Sequence, residues 1–265
     1  MAPQPQTDVV HLLESGDGEA AAHPDRALTS APRRAVALLL AAAACALVLL
    51  GPSLRPPRLR QPAGAAAVDV AELFAGGPSC LCLFDVDRTL TAKQGEGPRC
   101  PGTLEMAGVE DTAFGGGTLV LSDLGAKMSR TFCGACYRGI VTVGPVSGAY
   151  SKQRKELVEA LGGPFWTFSD KWSYAHDVSS LLVTGAQDEH KHETVRKIVD
   201  WLRGQGPQIK DSEVFFFDDN TLNTPPFAGS GFNAHQVSCK SRDGIIGHCG
   251  ALASEVVREY GVKSC

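Results

Sequence analysis

The feature that most constrains this chain is a short apolar run that ends in two alternating carboxylates. Residues 81–84 read Leu-Cys-Leu-Phe, and Asp85, Asp87 and Thr89 follow at every second position. An apolar run of this length, bounded by polar residues, is typical of a buried strand. Because residues i and i+2 of an extended chain point to the same side, both carboxylates are expected at the carboxyl edge of a sheet, where α/β proteins bind ligands.

Length and composition allow one good-sized domain with appended segments. The chain has 265 residues, of which 43% are hydrophobic and 7% aromatic, and its formal net charge is −4. It carries no dense basic stripe, so we expect no nucleic-acid partner. Nine cysteines are many for a reducing cytosol but few for a disulfide scaffold of this length, so the cysteine count leaves the redox compartment open.

The amino-terminal third differs in composition from the rest of the chain. Residues 1–34 are rich in Ala, Pro, Gly, Asp and Glu, which predicts a disordered tail. Residues 35–50 are uninterruptedly apolar. At about 1.5 Å per residue this run spans roughly 24 Å, and extending it to residue 54 brings it close to the ~30 Å hydrocarbon core of a bilayer. We therefore predict a transmembrane helix over residues 35–54 that acts as a single-pass signal anchor in a membrane.

Two other interpretations of the apolar run stay open, and so does its orientation. A cleaved secretory signal is disfavoured because the preceding segment is long and acidic. A buried alanine-rich helix is disfavoured because residues 55–75 begin with a Pro- and Arg-rich stretch that predicts a linker. Arginines flank the run on both sides, so the positive-inside rule does not decide which end is cytoplasmic.

The remaining residues, 76–265, are expected to form the catalytic domain, with strands and helices in alternation. After the first strand, β-branched or aromatic apolar runs predict strands over residues 139–143, 180–184, 214–217 and 236–239. Helical spacing of apolar residues predicts helices over residues 118–129, 152–161, 188–203 and 252–260.

Polar residues of chemical interest follow these strands. Asp218 and Asp219 stand directly after a core strand, where two adjacent carboxylates are costly unless a cation neutralises them. Hard oxygen ligands of this kind suit Mg²⁺. Lys191 lies in the first turn of a predicted helix, a place where a cation opposes the helix dipole unless an anion binds there. A hydroxyl on Thr142 or Ser147 would lie beside the Asp85 strand if their strands are neighbours.

Two glycine- or cysteine-rich stretches carry weaker signals. Residues 91–117 are rich in glycine and predict a long loop or small insertion over the carboxyl edge. Their three final glycines are more typical of a flexible turn than of a phosphate cradle, because no P-loop lysine follows. Cys133 and Cys136 form a single Cys-x-x-Cys, which without a second pair argues against structural zinc. We expect a structural role for them, and a disulfide only if the domain faces a lumen.

In this order the motifs resemble those of the haloacid dehalogenase-like (HAD) superfamily. The Phe-Phe-Asp-Asp ending, with Asn220 and Asn223 downstream, is most similar to the small magnesium-dependent phosphatase branch. The resemblance covers about residues 80–260. It has departures, since Arg88 stands where many members have glycine, and residues 91–117 match no recognised cap domain. The four motifs are Asp85-x-Asp87-x-Thr89, then Thr142 or Ser147, then Lys191, then Asp218-Asp219.

The resemblance implies an α/β, Rossmann-like three-layer sandwich with a central parallel sheet, and Mg²⁺-dependent hydrolysis of phosphomonoesters. Asp85 would be the nucleophile that forms an aspartyl-phosphate, and Asp87 the acid and base. Lys191 and Thr142 would act on the phosphoryl group. The wider expected sets are Thr89, Thr142, Ser147 and Lys191 for substrate, and Asp85, Asp87 through its carbonyl, Asp218 and Asp219 for Mg²⁺. The substrate would be a phosphorylated small molecule or a phosphoprotein.

Two alternatives belong to other functional classes. A membrane-anchored binding or scaffold protein on a degenerate HAD fold would keep the architecture without turnover, although every expected catalytic residue type is present. A thiol redox protein would depend on Cys133 and Cys136 and would be indifferent to chelators.

Overall fold

The computed structural model describes residues 77–265, in which short strands and helices alternate. The tail, apolar helix and linker predicted over residues 1–75 lie outside this range. Within it, no helix combines the length and the apolar character that a membrane crossing needs.

The strands are β1 (Leu81–Phe84), β2 (Leu104–Asp111), β3 (Gly117–Leu121), β4 (Tyr137–Val141), β5 (Trp172–Tyr174), β6 (Leu182–Thr184), β7 (Val214–Asp218), β8 (Asn233–Gln236), β9 (Arg242–Asp243), β10 (Ile246–Gly247) and β11 (Val262–Lys263). The α-helices are α1 (Asp123–Lys127), α2 (Lys152–Ala160), α3 (Pro164–Thr167) and α4 (Lys191–Gly204).

Seven of the strands form one parallel sheet in the order β11-β8-β7-β1-β4-β6-β5. The first strand is central, because β1 pairs with β7 on one side and with β4 on the other. In this register Phe84 lies between Ile140 and Phe217, so the three strands end side by side. The sheet confirms the predicted α/β fold with a central parallel sheet. Asp85, Thr142 and Asp218 lie at the carboxyl ends of three adjacent strands, β1, β4 and β7.

The two faces of the sheet bury two separate apolar cores. Leu81 and Leu83 of β1 contribute to the core under α4, whereas Cys82 and Phe84 contribute to the core under α1 and α2. This alternation follows from the two-residue period of a strand, and it explains why β1 reads as a continuous apolar run. Helices therefore cover the sheet on both faces. The predicted apolar stripe of α4 is buried at Val195, Ile198, Val199 and Leu202.

Most elements of the sheet were predicted in type and in approximate position. The strands expected over residues 139–143, 180–184 and 214–217 are β4, β6 and β7. The helices expected over residues 152–161 and 188–203 are α2 and α4. The strand predicted over residues 236–239 is wrong for all but its first residue, because β8 covers Asn233–Gln236 and a 3₁₀ turn begins at Cys239. The sequence did not reveal β5 and β11, which are 3 and 2 residues long, because such short runs carry no periodicity.

The glycine-rich segment after β1 contains an antiparallel hairpin made of β2 and β3. The helix predicted over residues 118–129 is therefore wrong in its first part, since residues up to Leu121 form β3. The backbone N–H of Ala92 donates to the Val120 carbonyl (2.8 Å), so β3 also pairs with the chain leaving the first strand. Helix α1 begins only after Ser122, whose Oγ accepts a hydrogen bond from the Gly125 N–H (3.0 Å) as an N-cap.

The carboxyl-terminal helix predicted over residues 252–260 is also wrong. A single 3₁₀ turn at Ala253–Glu255 is followed by chain without regular secondary structure that reaches β11, which pairs with β8. Long-range contacts position this turn, because the Glu255 carboxylate accepts hydrogen bonds from two distant backbone N–H groups as well as from the nearby N–H that caps the turn. These donors are Ser238 (3.0 Å), Cys239 (2.8 Å) and Leu252 (2.7 Å).

All eight cysteines of the described residues form disulfides, a pairing that the sequence left open. Cys133 and Cys136 do not pair with each other but with two cysteines at the start of the first strand, which argues against a redox-active dithiol. Both residues are completely buried. The pairs are Cys80–Cys136, Cys82–Cys133, Cys100–Cys249 and Cys239–Cys265.

The disulfides generate a prediction about stability. Cys100 and Cys249 are 149 residues apart, whereas Cys239 and Cys265 are 26 apart. On the chain-entropy account, a longer closed loop restricts the unfolded chain more, so changing the first pair to serine should cost about 1.5 kcal/mol more than changing the second. Urea unfolding of the two double variants measures the difference. Peptide mapping without reductant should find the four pairs, and free thiols in the folded protein would contradict the assignment.

Candidate active site

The site begins where β1 ends. The Asp85 N–H donates to the Phe217 carbonyl (3.0 Å), which extends the pairing of β1 with β7 by one residue. The chain then turns over Val86–Leu90, with Asp87 extended and Arg88 left-handed, and a hydrogen bond from the Thr91 N–H to the Val86 carbonyl (3.0 Å) closes the turn. Asp85 is 5% exposed and Asp87 is half-buried. Both predicted carboxylates line one cavity, as their alternation required.

Lys191 connects the carboxylates of two strands. It is the first residue of α4 and is 2% exposed. Its Nζ donates to Asp85 Oδ1 (2.7 Å) and to Asp218 Oδ2 (2.8 Å). Burial alone would lower the pKa of Lys191, but the two carboxylates outweigh it and raise the pKa above the ordinary value. The ammonium therefore stays charged, and the predicted position of Lys191 at a helix start places it at the centre of the acidic cluster.

Asp218 is held from its other side by Asn223. The side-chain amide of Asn223 lies 3.0 Å from both Asp218 oxygens and donates to Asp188 Oδ1 (2.9 Å), while its Oδ1 accepts from the Glu189 N–H (2.8 Å). Asp218 Oδ1 also accepts from the Asn220 N–H (2.8 Å). Asn223 thus joins the end of β7 to the turn before α4, and it fixes the orientation of the Asp218 carboxylate.

Asp219 is positioned by the turn that follows the first strand. Its N–H donates to Thr89 Oγ1 (3.0 Å), and Thr89 Oγ1 lies 3.4 Å from Asp219 Oδ1. Asp219 Oδ2 accepts from the Gly247 N–H of β10. Thr89, expected to contact substrate, is completely buried and does not line the cavity. Its hydroxyl supports Asp219, so the third residue of the first motif is linked to the fourth motif.

Three carboxylates converge here closely enough to hold a cation. One oxygen from each of Asp85, Asp218 and Asp219 lies within 4.8 Å of the others, and all three residues are buried. Burial raises the pKa of Asp85 well above the ordinary value, with Lys191 opposing the shift. Burial and the neighbouring Asp218 raise the pKa of Asp219 to about 7. Oxygen donors that resist ionisation without a positive neighbour fit a hard divalent cation such as Mg²⁺. The Asp87 carboxylate is not part of this group.

Asp87 has the properties of an acid and base. Burial and the neighbouring Asp111 raise its pKa to about 6. A carboxyl group with a pKa near neutrality can both give and take a proton during a reaction cycle. Its closest surroundings include the loop after β4, where an added β-carbon on Gly144 would lie 3.5 Å from Asp87 Oδ2. Asp87 therefore lines the cavity beside the loop that follows β4.

The cavity has a volume of about 530 Å³ and is bounded by the turn between β2 and β3 and by the loop after β4. Both candidate hydroxyls line it. Ser147 Oγ is engaged by Gln153 Oε1 (2.6 Å) and by the Thr112 N–H (3.0 Å), so it fastens the hairpin turn to α2. The hydroxyl of Thr142 makes no hydrogen bond with the described residues, which leaves Thr142 as the better candidate for contact with a ligand.

Several residues of the site were not assigned a role from the sequence. Asn223, quoted above only as part of the resemblance, holds Asp218, and Asp188 in turn accepts a hydrogen bond from Asn223. Asp111, completely buried at the end of β2, raises the pKa of Asp87 but belongs to a hairpin that was not predicted. Arg88 was noted only as a departure from the glycine common at that position.

Comparisons with protein-family models, with curated proteins and with solved structures gave no match for this chain. The assignment of a function therefore depends on the geometry of the site and on the motifs of the sequence.

The raised pKa of Asp219 predicts a pH-dependent stability. Its pKa in the folded protein, about 7, exceeds the ordinary value, so it contributes stability that is present near pH 4 and is lost as the pH rises through about 7. Asp219→Asn cannot ionise and escapes this loss. In EDTA, the Tm of the variant relative to the unchanged protein should rise by roughly 3–8 °C between pH 5 and pH 8.

Asp211→Asn is the matched control for this measurement. Hydrogen bonds from Arg203 and Arg196 hold the pKa of Asp211 below its ordinary value despite partial burial, so it stays ionised over this range. Its Tm difference should not change with pH. A constant Tm difference for Asp219→Asn as well would contradict the assignment.

Proposed function

We propose that this protein is a Mg²⁺-dependent phosphomonoester hydrolase of HAD type that acts through an aspartyl-phosphate. The observation that carries the proposal is the ion pair of the Lys191 ammonium with both Asp85 and Asp218, at the floor of a cavity that Asp87 also lines. Residues of all four motifs, Asp85, Thr142, Lys191 and Asp219, line this cavity. The parallel sheet with helices on both faces agrees with a Rossmann-like three-layer arrangement.

The carboxylates fit the metal that this chemistry needs. Asp85, Asp218 and Asp219 would hold Mg²⁺ together with the Asp87 backbone carbonyl, and the clustering of three buried acids around one lysine leaves excess negative charge for a cation to balance. When bound, such an ion supplies charge neutralisation, so that an anionic nucleophile can approach an anionic phosphate.

Two steps then follow from the protein groups. Asp85 attacks phosphorus through a carboxylate oxygen, a P–O bond to the aspartyl oxygen forms and the ester P–O bond breaks. Asp87 gives its proton to the departing oxygen. In the second step Asp87 takes a proton from water, the water oxygen bonds to phosphorus, the aspartyl P–O bond breaks and inorganic phosphate leaves. The division into two displacements is the advantage of covalent catalysis, and the acid–base help is typically ~10²–10⁴-fold.

Lys191 and Thr142 act without forming bonds. The Lys191 ammonium fixes one Asp85 oxygen and leaves the other for attack, and its charge favours the added negative charge of the phosphoryl group. Thr142 offers a hydroxyl to a phosphoryl oxygen from the end of the neighbouring strand. Ser147 keeps the hairpin turn in place and so shapes the cavity rather than contacting the phosphoryl group.

The disulfides support a location for this activity. Four disulfides in one domain are characteristic of proteins that mature in an oxidising compartment. We therefore place the catalytic domain on the non-cytoplasmic side of the membrane that the apolar segment of residues 35–54 would cross. The substrate would be a phosphorylated small molecule or a phosphoprotein in that compartment.

The test is hydrolysis of 4-nitrophenyl phosphate by the full-length chain, with Mg²⁺ and with EDTA. Asp85→Asn should lower kcat at least 10³-fold because it removes the nucleophile, and Asp87→Asn should lower it ~10²–10⁴-fold because it removes the acid and base. Asp211→Asn, a surface carboxylate outside the cavity, should stay within about threefold of the unchanged protein.

The alternative is an inactive HAD-fold binding or scaffold protein. It predicts no turnover with any of these proteins and partner binding that survives Asp85→Asn. Turnover that is equal in EDTA, or equal in the Asp85→Asn protein, would contradict the proposed function.

A further inference from the structure

We propose that Arg88, backed by the ring of Phe114, forms a second anion subsite in the active cavity, which selects phosphomonoesters whose leaving group carries another negative group such as a carboxylate. This inference rests on the proposed function, and it names the substrate class of that same site.

The first observation concerns the unpaired guanidinium of Arg88. The residue lines the cavity and is only 5% exposed. Its guanidinium makes neither an ion pair nor a hydrogen bond with the residues that the structure describes, although it has five N–H donors. Burial of a charged donor is unfavourable unless partners are provided. Arg88 lines a cavity whose size suits a small molecule, so an anion bound there can accept hydrogen bonds from the guanidinium.

The second observation is the backbone on both sides of the contact. Arg88 has φ 65° and Phe114 has φ 50°, so both lie in the left-handed region, which favours glycine. The two side chains meet there, with the Arg88 Cζ 4.5 Å from the centroid of the Phe114 ring. Unfavourable backbone conformations of this kind collect at functional sites. Arg88 adopts an unfavourable backbone conformation, but unlike glycine it places a guanidinium in the cavity.

The third observation is the distribution of charge in the cavity. Arg88 and Lys191 are the two basic residues that line it. Lys191 is already paired with Asp85 and Asp218, so Arg88 is the cation of the lining that no carboxylate of the described residues neutralises directly. Asp87, Asp219, Asp111 and Asp243 act on the guanidinium through their charge, but none of them accepts a hydrogen bond from it. The position of Arg88 instead keeps its donors for a group that enters the cavity.

The arrangement separates the reacting phosphoryl group from the second anion. Asp85 and Arg88 are both 5% exposed, but the Arg88 guanidinium stacks upon Phe114, which is 63% exposed and belongs to the hairpin turn at the mouth of the cavity. A phosphomonoester whose phosphoryl group meets Asp85 and Lys191 therefore extends its leaving group towards Arg88. Recognition of a carboxylate by guanidinium is favoured because two parallel N–H donors match its two oxygens.

The test is calorimetric binding of matched phosphonates, which cannot be hydrolysed, to the full-length chain with Mg²⁺. The pairs are 3-phosphonopropionate with propylphosphonate and 4-phosphonobutyrate with butylphosphonate, which differ in a terminal carboxylate. In the unchanged protein, at least one carboxylate-bearing ligand should bind tenfold or more tightly than its partner. This ratio should fall to about one in Arg88→Gln and Arg88→Gly, and Arg88→Lys should retain part of it because the charge remains.

Each outcome decides the proposal. A ratio near one in the unchanged protein, or a ratio that survives Arg88→Gln and Arg88→Gly, overturns it. Equal weakening of both members of a pair, with the ratio unchanged, would assign Arg88 to the reacting phosphoryl group and also overturns it. Hydrolysis of 4-nitrophenyl phosphate by the unchanged protein, measured beside these titrations, separates a failure of this inference from a failure of the proposed function. Far-ultraviolet circular dichroism and Tm establish that each variant is folded.

Discussion

One buried ammonium among several buried carboxylates is the interaction on which the rest of this structure depends. Lys191 contacts Asp85 and Asp218, and Asp219 lies beside them. An unpaired charge in such a place would cost several kcal/mol, so the four groups are stable only as a set. They arrive from β1, β7 and the start of α4, which fixes how these elements pack. The remaining imbalance is negative, and a cluster of this kind is therefore prepared for a divalent cation.

The surrounding structure keeps these groups at fixed distances. The disulfides Cys80–Cys136 and Cys82–Cys133 fasten the strand that carries Asp85 to the turn before β4. Thr89 ties the turn after that strand to Asp219, and Asn223 ties Asp218 to the start of α4. A catalytic arrangement gains from such support, because misplacement by about 1 Å can cost a large factor in rate. The buried hydrogen bonds and disulfides therefore hold the site residues in fixed positions on the apolar sheet.

The sequence was informative where chemistry follows directly from strand ends. Asp85, Asp87, Thr142, Asp218 and Asp219 each follow or end an apolar run, and parallel pairing brings such positions to one edge, so their convergence could be inferred. The helix beginning at Lys191 was visible from its periodic stripe. These inferences succeeded because burial of apolar residues dominates local structure in the central sheet.

Elsewhere the outcome depended on contacts between distant residues, which a single sequence does not encode locally. The disulfide pairing, the β2–β3 hairpin and the non-helical carboxyl terminus are cases of this kind. Leu121, Leu124 and Met128 have helical spacing, but pairing with β2 makes the first of them part of a strand. Glu255 accepts backbone hydrogen bonds from the distant residues Ser238 and Cys239, which no local pattern in the sequence indicates. The left-handed conformation of Arg88 could not be predicted either, because glycine is the residue that normally indicates such a conformation in a sequence.

The central claim is that Asp85 becomes phosphorylated, and chemical trapping tests it most directly. The full-length chain would be mixed with 4-nitrophenyl phosphate and Mg²⁺ and quenched with borohydride, which reduces an acyl phosphate to an alcohol and so converts aspartyl-phosphate to homoserine. Peptide mass spectrometry should find homoserine at position 85, only when substrate is present, and at no other acidic residue. Homoserine at another position, or steady turnover with Asp85 unmodified in every trapped sample, would contradict the account.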